Sequence, residues 1–298
     1  MGKLTIKSPS GKVLKELEVS ESSTVAQLKA AYAKAFPKYY PDRQRFYLQD
    51  GETRVSLEDE KKLSTYNLLC SKRDDVVYFR DLGPQIAWKT VFLVEYAGPL
   101  LIYLFFYARP PFIYPASDAP HTWVQNLALL CWAGHYLKRE LETIFVHRFS
   151  HGTMPIMNIF KNSGYYWGFG ALCGYFVNHP YFTNPEPTQV YTALAFFVLF
   201  ELGNLISHIQ LRNLRPEGTT VRRIPRGFLF ELVSCPNYTC EILAWVCFSL
   251  MTQSVAAFLF TLVGGGQMLV WAQQKHRRYK KEFPGYPKNR RILFPFLY

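Results

Sequence analysis

The chain has 298 residues, 49% of them hydrophobic and 17% aromatic, and its 34 Lys/Arg against 22 Asp/Glu give a net charge of +12. Such aromatic content excludes a disordered or low-complexity chain, and the mean hydropathy of -0.05 averages two unlike parts. Residues 1–85 carry 15 Lys/Arg and 12 Asp/Glu, whereas the 213 positions of 86–298 carry 19 and 10, mostly in clusters. The first part reads as a small soluble domain, the second as an apolar membrane bundle with basic cytosolic loops.

Residues 4–7 and 13–19 alternate apolar and polar around a turn at 8–11, a β-hairpin pattern. Ser22 or Ser23 is the expected cap of a helix whose apolar positions are Val25, Leu28 and Tyr32. Strands are expected at 45–48 and 76–79, with Asp50-Gly51 as a turn and 63–68 before the closing strand. The order ββαβ…β resembles a ubiquitin-like fold over 1–82. The module ends at Asp81-Leu82-Gly83-Pro84 without a Gly-Gly tail, so docking or stabilisation is its expected role, not conjugation. Lys3, Lys7, Lys12 and Lys15 interrupt any apolar run, and no cleavable signal peptide is expected.

Spans are expected at 86–107, interrupted by Lys89 and Glu95, and at 122–137, followed by Lys138-Arg139. Two more fall at 165–182 and 189–211. The 33 positions of 242–274 hold no charge, more than the roughly 20 needed for one crossing but short of two generous ones. Glycines 264–266 are a candidate break, although close helix packing is the stronger reading of glycines in an apolar helix, and 228–232 is a candidate addition to the first leg. Basic groups occur at 138–148, at 212–226 and at 275–291, while the loops 108–121 and 183–188 hold Arg109 as their only cation. With all three groups facing the cytosol, the crossings come two by two. The expected fold is thus an all-α multi-pass membrane bundle of six spans, with seven as the alternative, behind an N-terminal ubiquitin-like α+β domain. Both termini are then cytosolic.

Several chemistries drop out. The six cysteines (70, 131, 173, 235, 240 and 247) form no CxxC, so buried reduced thiols are expected rather than a disulfide framework or zinc site. Of seven scattered histidines only His147 and His151 have ligand-like spacing, which reads as a loop feature, and no metal is expected. No GxGxxG follows a strand, and Gly168 and Gly170 suggest close helix packing. The sequon at Asn237 falls beside cytosolic loops and is expected to be unmodified.

What remains is polar residues in or beside spans: Glu95, Glu201, Asn204, His208, Asn237 and Glu241. Asn204 and His208 share a helical face with Arg212, and Asn237 and Glu241 repeat the spacing. Any one of them reads equally well as interhelical glue. Two such faces beside Arg-rich loops favour a phosphate-bearing ligand, since Arg grips phosphate bidentately.

Asn204, His208, Arg212 and Arg215, then Ile224-Pro225, Gly227, Phe230, Val233-Ser234, Pro236-Asn237-Tyr238 and Glu241, resemble the C-terminal region of the steroid 5α-reductase superfamily. So do Lys275-His276, Tyr279, Phe283, Tyr286-Pro287, Arg290 and Pro295-Phe296. The stretch 135–155, HYLKRELETIFVHRFSHGTMP, and the head domain are similar to the very-long-chain trans-2-enoyl-CoA reductases within it. The likeness covers essentially the whole chain. One departure is His208, which stands where the superfamily carries an Asp.

The resemblance implies NADPH-dependent reduction of a trans-2-enoyl-CoA in fatty-acid elongation at the endoplasmic reticulum membrane, by a catalytic domain over 86–298. It carries cofactor binding to Asn204, His208, Arg212, Arg215, Asn237, Glu241, His276 and Arg290. Glu95 and Tyr136 match the family's carbonyl-binding pair, provided that Tyr136 donates or Glu95 is protonated. Tyr279 is the candidate proton donor, with Lys138 orienting or assisting it; a role for Tyr279 in cofactor contact alone is the alternative. Implied partners are the long-chain enoyl-CoA, the lipid bilayer and other fatty-acid elongase components. The charge lies at span borders and gives no reason to expect nucleic acid. A membrane methyltransferase of the isoprenylcysteine type, using S-adenosylmethionine, and a non-enzymatic membrane scaffold are the other readings.

Overall fold

The computed structural model describes residues 2–69, 75–114, 118–149, 152–216 and 223–295. Cys70, His151, Arg222 and Phe296 of the sequence reading lie outside the described residues. The chain divides into two units, 1–88 with 151–158, and 89–150 with 159–298.

In the first unit, period-two alternation places Leu4 and Ile6 of β1 (Gly2–Lys7) and Val77 of β5 (Val76–Asp81) on one buried face. β2 (Val13–Val19), β3 (Gln44–Asp50) and β4 (Thr53–Ser56) complete a sheet of order β2-β1-β5-β3-β4, in which only β1 and β5 run parallel. Helix α1 (Val25–Ala35) presents Val25, Leu28 and Tyr32 to the core, and Tyr32 stacks edge-on against Phe46 with ring centroids 5.6 Å apart. Its cap is Thr24, not Ser22 or Ser23. Thr24 and Gln27 form a reciprocal capping box, whereas the Ser22 hydroxyl is engaged by Ser20 at 2.8 Å. Arg43 forks onto Asp81 through contacts of 2.6 and 2.7 Å, which hold the Asp81 carboxyl below its usual range. A separate two-stranded ribbon pairs β6 (Gln85–Ala87) with β7 (Thr153–Pro155).

The helices are α2 (Trp88–Tyr107), α3 (Trp123–Leu141), α4 (Met157–Val177), α5 (Pro187–Asn213), α6 (Pro236–Thr252) and α7 (Val255–Glu282). Of these, α2, α5 and α7 are long and apolar enough to cross a membrane. The uncharged run breaks at Gln253, whose φ of 46° ends α6, and Ser254 caps α7 by accepting from the Ala257 amide. Glycines 264–266, the candidate break, lie inside α7. A Cβ on Gly264 would come within 2.5 Å of the Tyr165 hydroxyl, so close approach to α4 is what that position needs. Residues 228–232 likewise do not extend α6; Phe228–Glu231 form a separate 3-10 turn.

Trp132 of α3 sits at the centre of the second unit's core, stacked on Tyr103 at 4.8 Å and edge-on to Trp245 at 5.2 Å. Its indole N–H donates to the Pro99 carbonyl at 3.0 Å. Pro99 lies inside α2. Lacking an N–H, it cannot close the helical bond to the carbonyl four residues back, which is that of Glu95. Among the described residues five cysteines are free and buried.

Candidate active site

The second half of α3 carries His135, Lys138 and Arg139, and the π-helical turn that prolongs it adds Glu142. Their spacing of three and four puts them on one face. That face meets α5 and α6. Lys138 Nζ lies 2.7 Å from Glu201 Oε2 and donates to Asn204 Oδ1 at 2.6 Å. The Asn204 amide then donates to Glu241 Oε2 and to the Asn237 carbonyl, both at 2.9 Å. His135 Nδ1 contacts Glu201 Oε1 at 2.8 Å. The two i,i+4 faces read from the sequence therefore meet through one buried asparagine.

His208 turns away from that contact. Its Nδ1 lies 3.0 Å from Glu142 Oε2 and 3.3 Å from Arg139 NH1. One ring nitrogen cannot donate to the first and accept from the second, and the shorter contact makes Nδ1–H the donor to Glu142. Arg139 donates to Glu142 at 2.8 Å and, through its other amino group, to the Tyr96 hydroxyl at 2.8 Å. Burial opposes charge on Glu142, yet the His208 hydrogen bond and the cations Arg139 and Lys138 hold its carboxyl well below the usual range. His147 stands edge-on to His208 at 5.1 Å, and burial, with Arg139 nearby, pushes it down to about 3. Glu142, His147 and His208 offer ligand atoms within 4.8 Å of one another. The Arg139 guanidinium already neutralises this carboxylate, so the cluster is an ion-pair network with its cation in place.

Glu95 accepts from the Asn162 amide at 2.8 Å. Tyr136 is fully buried in the aromatic core, and its hydroxyl has no partner. The two expected carbonyl ligands are thus not hydrogen-bonded to each other.

A second constellation surrounds the end of α7. Ser234 Oγ sits 2.6 Å from His276 Nδ1 and 2.7 Å from the Tyr286 hydroxyl. Tyr279 stacks on Tyr286 at 5.4 Å. Arg290, its side chain fully buried, donates to the Pro225 carbonyl at 3.1 Å, while its Nε and NH2 have no hydrogen-bond partner. Lys275 Nζ lies 5.9 Å from the rings of both Tyr238 and Tyr279, whereas Lys138 is engaged by Glu201 and Asn204. Arg212 is half-buried in the last turn of α5, and Arg215 donates to the Arg148 carbonyl at 3.0 Å.

The sequence reading passed over His135, Arg139, Glu142, Lys275 and Tyr286. For the first three a signal existed, a polar stripe at 135, 138, 139 and 142 within an otherwise apolar helix. Lys275 and Tyr286 stand in the stretch that carries the superfamily resemblance, but what they do lies in contacts between distant segments.

A helical unit with three helices long and apolar enough to cross a membrane, preceded in the chain by a β-sheet domain, has the make-up of a membrane-associated protein. Residues 152–298 match the family described as 3-oxo-5-alpha-steroid 4-dehydrogenase, and residues 8–81 match "TECR, ubiquitin-like domain". A very-long-chain enoyl-CoA reductase of Dictyostelium discoideum is 57% identical over 225 residues, 75% of each chain. A probable very-long-chain enoyl-CoA reductase of Caenorhabditis elegans is 50% identical over 94% of this chain and 92% of its own. A trans-2,3-enoyl-CoA reductase-like protein of Homo sapiens is 37% identical over 94% and 78%. The chain belongs to the very-long-chain enoyl-CoA reductase family of oxidoreductases.

Proposed function

We propose that the protein reduces very-long-chain trans-2-enoyl-CoA to the saturated acyl-CoA with NADPH, within fatty-acid elongation at the endoplasmic reticulum membrane. The observation that carries this reading is a set of buried polar atoms without hydrogen-bond partners: the Tyr136 hydroxyl, Asn237 Oδ1 and Nε of Arg290, whose NH2 has Glu231 Oε2 at 3.8 Å. Buried polar groups are nearly always satisfied, and these suit a ligand with carbonyl, amide and phosphate groups. Asn204, Asn237 and Glu241 would hold the polar rings of the cofactor. Arg290, His276, Arg212 and Arg215 would hold its phosphates, His208 bracing that wall through Glu142.

When bound, the nicotinamide supplies a hydride. Tyr136 and Glu95 would steady the thioester oxygen on which charge develops. A proton must reach Cα, and Tyr279 and Tyr238, whose rings both lie 5.9 Å from Lys275 Nζ, are the candidate donors. The membrane domain would span 86–298 with six crossings and the ubiquitin-like head over 1–82 in the cytosol, where it can meet other elongase components.

The test is NADPH oxidation by purified protein with a long trans-2-enoyl-CoA, expected to be stoichiometric with substrate. No consumption by well-folded protein overturns the reading, and binding of S-adenosylmethionine in place of NADPH would favour a methyltransferase. Tyr279→Phe and Tyr238→Phe, assayed separately, identify the donor as the variant that binds NADPH but does not turn over.

A further inference from the structure

Between the last strand of the head and α2 the chain is bonded at every step. Arg43 forks onto Asp81, the Leu82 N–H donates to the Arg43 carbonyl at 2.9 Å, and the Gly83 N–H donates to Asp81 Oδ1 at 2.9 Å. The Pro84 carbonyl accepts from the Ile156 N–H at 2.9 Å, and the Gln85 N–H donates to the Tyr40 hydroxyl at 2.7 Å. Ile86 and Ala87 pair with Met154 and Thr153, and the Trp88 N–H donates to the Gly152 carbonyl at 3.2 Å. A flexible linker leaves its backbone groups to water. This segment does not behave as one.

Both strands of the ribbon run directly into helices. β6 ends at Ala87 and α2 starts at Trp88; β7 ends at Pro155 and α4 starts at Met157. The register of the ribbon thus fixes where two helices begin. Within about their first two turns, α2 carries Glu95 and α4 carries Asn162, whose amide donates to Glu95 at 2.8 Å. Pro99 leaves the helical bond to the Glu95 carbonyl unmade. At Glu95, α2 is therefore not stiffened from within, and its placing depends on what holds its start.

Resting on the reductase reading above, in which Glu95 steadies the thioester oxygen, we propose that the head domain is a positioning element for the reaction. Tyr40 and Arg43 hold the ribbon, and the ribbon sets Glu95 against Asn162. Neither Tyr40 nor Arg43 touches a reacting atom; both act through Glu95. This role lies within the chain and needs no partner protein. Tyr40 is 37% exposed, so the head's core does not rest on its ring, and what its hydroxyl does is receive the Gln85 N–H.

Tyr40→Phe removes only that hydroxyl. It is expected to lower kcat for a long trans-2-enoyl-CoA about tenfold, since a small misplacement of a catalytic group costs up to about 100-fold. KM for substrate and NADPH should change little, because the lost interaction belongs to the transition state. Tyr66→Phe is the matched control: its hydroxyl accepts the Glu58 N–H at 2.9 Å within the head, and kcat should stay. Ala87→Cys/Thr153→Cys joins the ribbon at a pair lying between hydrogen-bonded ones, where antiparallel strands come closest and a disulfide fits. Once oxidised, it should restore kcat to Tyr40→Phe, and reduction should remove the gain. Asn162→Ala should be slow by itself, and adding Tyr40→Phe to it should cost little more. Equal losses in the two tyrosine variants, no loss in Tyr40→Phe, a formed disulfide that restores nothing, or full additivity with Asn162→Ala overturns the proposal. Hydrogen exchange supplies a readout that needs no turnover. Amides of 88–95 and 157–162 should exchange faster in Tyr40→Phe and not in Tyr66→Phe, and unchanged exchange also overturns it. Faster exchange in a protein that never oxidises NADPH would leave the clamp standing and remove the reductase reading.

Discussion

The Lys138 ammonium donates to the Asn204 carbonyl at 2.6 Å and pairs with the Glu201 carboxylate at 2.7 Å, with Glu142 further off at 3.9 Å. Removing it strands a largely buried carboxylate, which typically costs about 3–5 kcal/mol. Lost activity in Lys138→Met is therefore ambiguous until stability is restored. The double variant Lys138→Met/Glu201→Gln should recover much of the melting temperature lost in the single variant, because no charge is left unpaired. Turnover should stay low if Lys138 acts on substrate, and return if its role is structural. His147 permits a sharper pH experiment. Its folded value near 3 lies below the ordinary 6.5, so between those values the unfolded chain binds the extra proton. Stability is then fully present above pH 6.5 and declines as pH falls. The detergent-solubilised protein should melt at progressively lower temperature from pH 7.5 to 5.5, and His147→Gln should flatten that slope. Glu142, whose carboxyl is held below its ordinary range, adds stability that is present above that range and is lost only in more acid solution, so it leaves the slope between pH 7.5 and 5.5 unchanged. At this scale the sequence made the Asn204 and Glu241 faces visible because i,i+4 spacing is local. The Lys275 contacts with Tyr238 and Tyr279 were not visible, because an ammonium between two rings depends on how α6 and α7 pack.

The elements themselves were more legible than their joints. Apolar runs located α2, α3, α4 and α5 to within a few residues at most ends, α4 excepted: it begins at Met157, eight positions before the expected 165. The polar stretch Met157-Asn158 through Asn162-Ser163 hides that start, since Asn162 faces Glu95 inside the protein instead of lying in a loop. The α6–α7 joint was misplaced for a related reason. Three glycines look like a break, yet a helix tolerates glycine where a neighbour needs the room. What ends α6 is the left-handed Gln253, followed by a capping serine. Gly168 and Gly170 separate the two uses of glycine. A Cβ at Gly170 would lie 2.9 Å from the Pro99 Cα, a backbone atom that cannot rotate away, whereas one at Gly168 meets nothing within 4 Å. Gly170→Ala should therefore push α4 from α2 and lower stability by about 1–3 kcal/mol, the usual cost of overpacking. Gly168→Ala should be neutral or gain up to about 1 kcal/mol from helix propensity. Thermal melts of the two variants side by side test this directly. Equal losses would mean that α2 and α4 are not in contact at that level.

For the whole molecule, the question is whether a chain with three strongly apolar helices among the described residues can take the proposed two-by-two topology. The other three helices carry His135, Lys138 and Arg139 on α3, Asn162 on α4, and Asn237 and Glu241 on the 17-residue α6, facing Glu95 of α2 and Glu201, Asn204 and His208 of α5. Their polarity is directed at one another, as the Lys138, Asn204 and Glu241 contacts illustrate, so hydropathy counted residue by residue understates what they present outward. Arg109 fits the same account. It is the only cation in the loops 108–121 and 183–188, yet it is 2% exposed and donates to the Asn178 and Ala119 carbonyls and to Gln125. A guanidinium spent on pinning a turn adds little to the charge presented by that end of the bundle. The bias between the two ends is therefore stronger than the raw count, with Arg148, Arg212, Arg226, Lys280 and Lys281 all on the opposite loops and helix ends. An acceptor sequon inserted after Thr183, where the loop is exposed, should be glycosylated in microsomes, and one added to the 8–11 turn of the head should not. Modification of both, or of the head alone, would overturn the proposed two-by-two arrangement and, with it, the cytosolic placing of the ionic network proposed above.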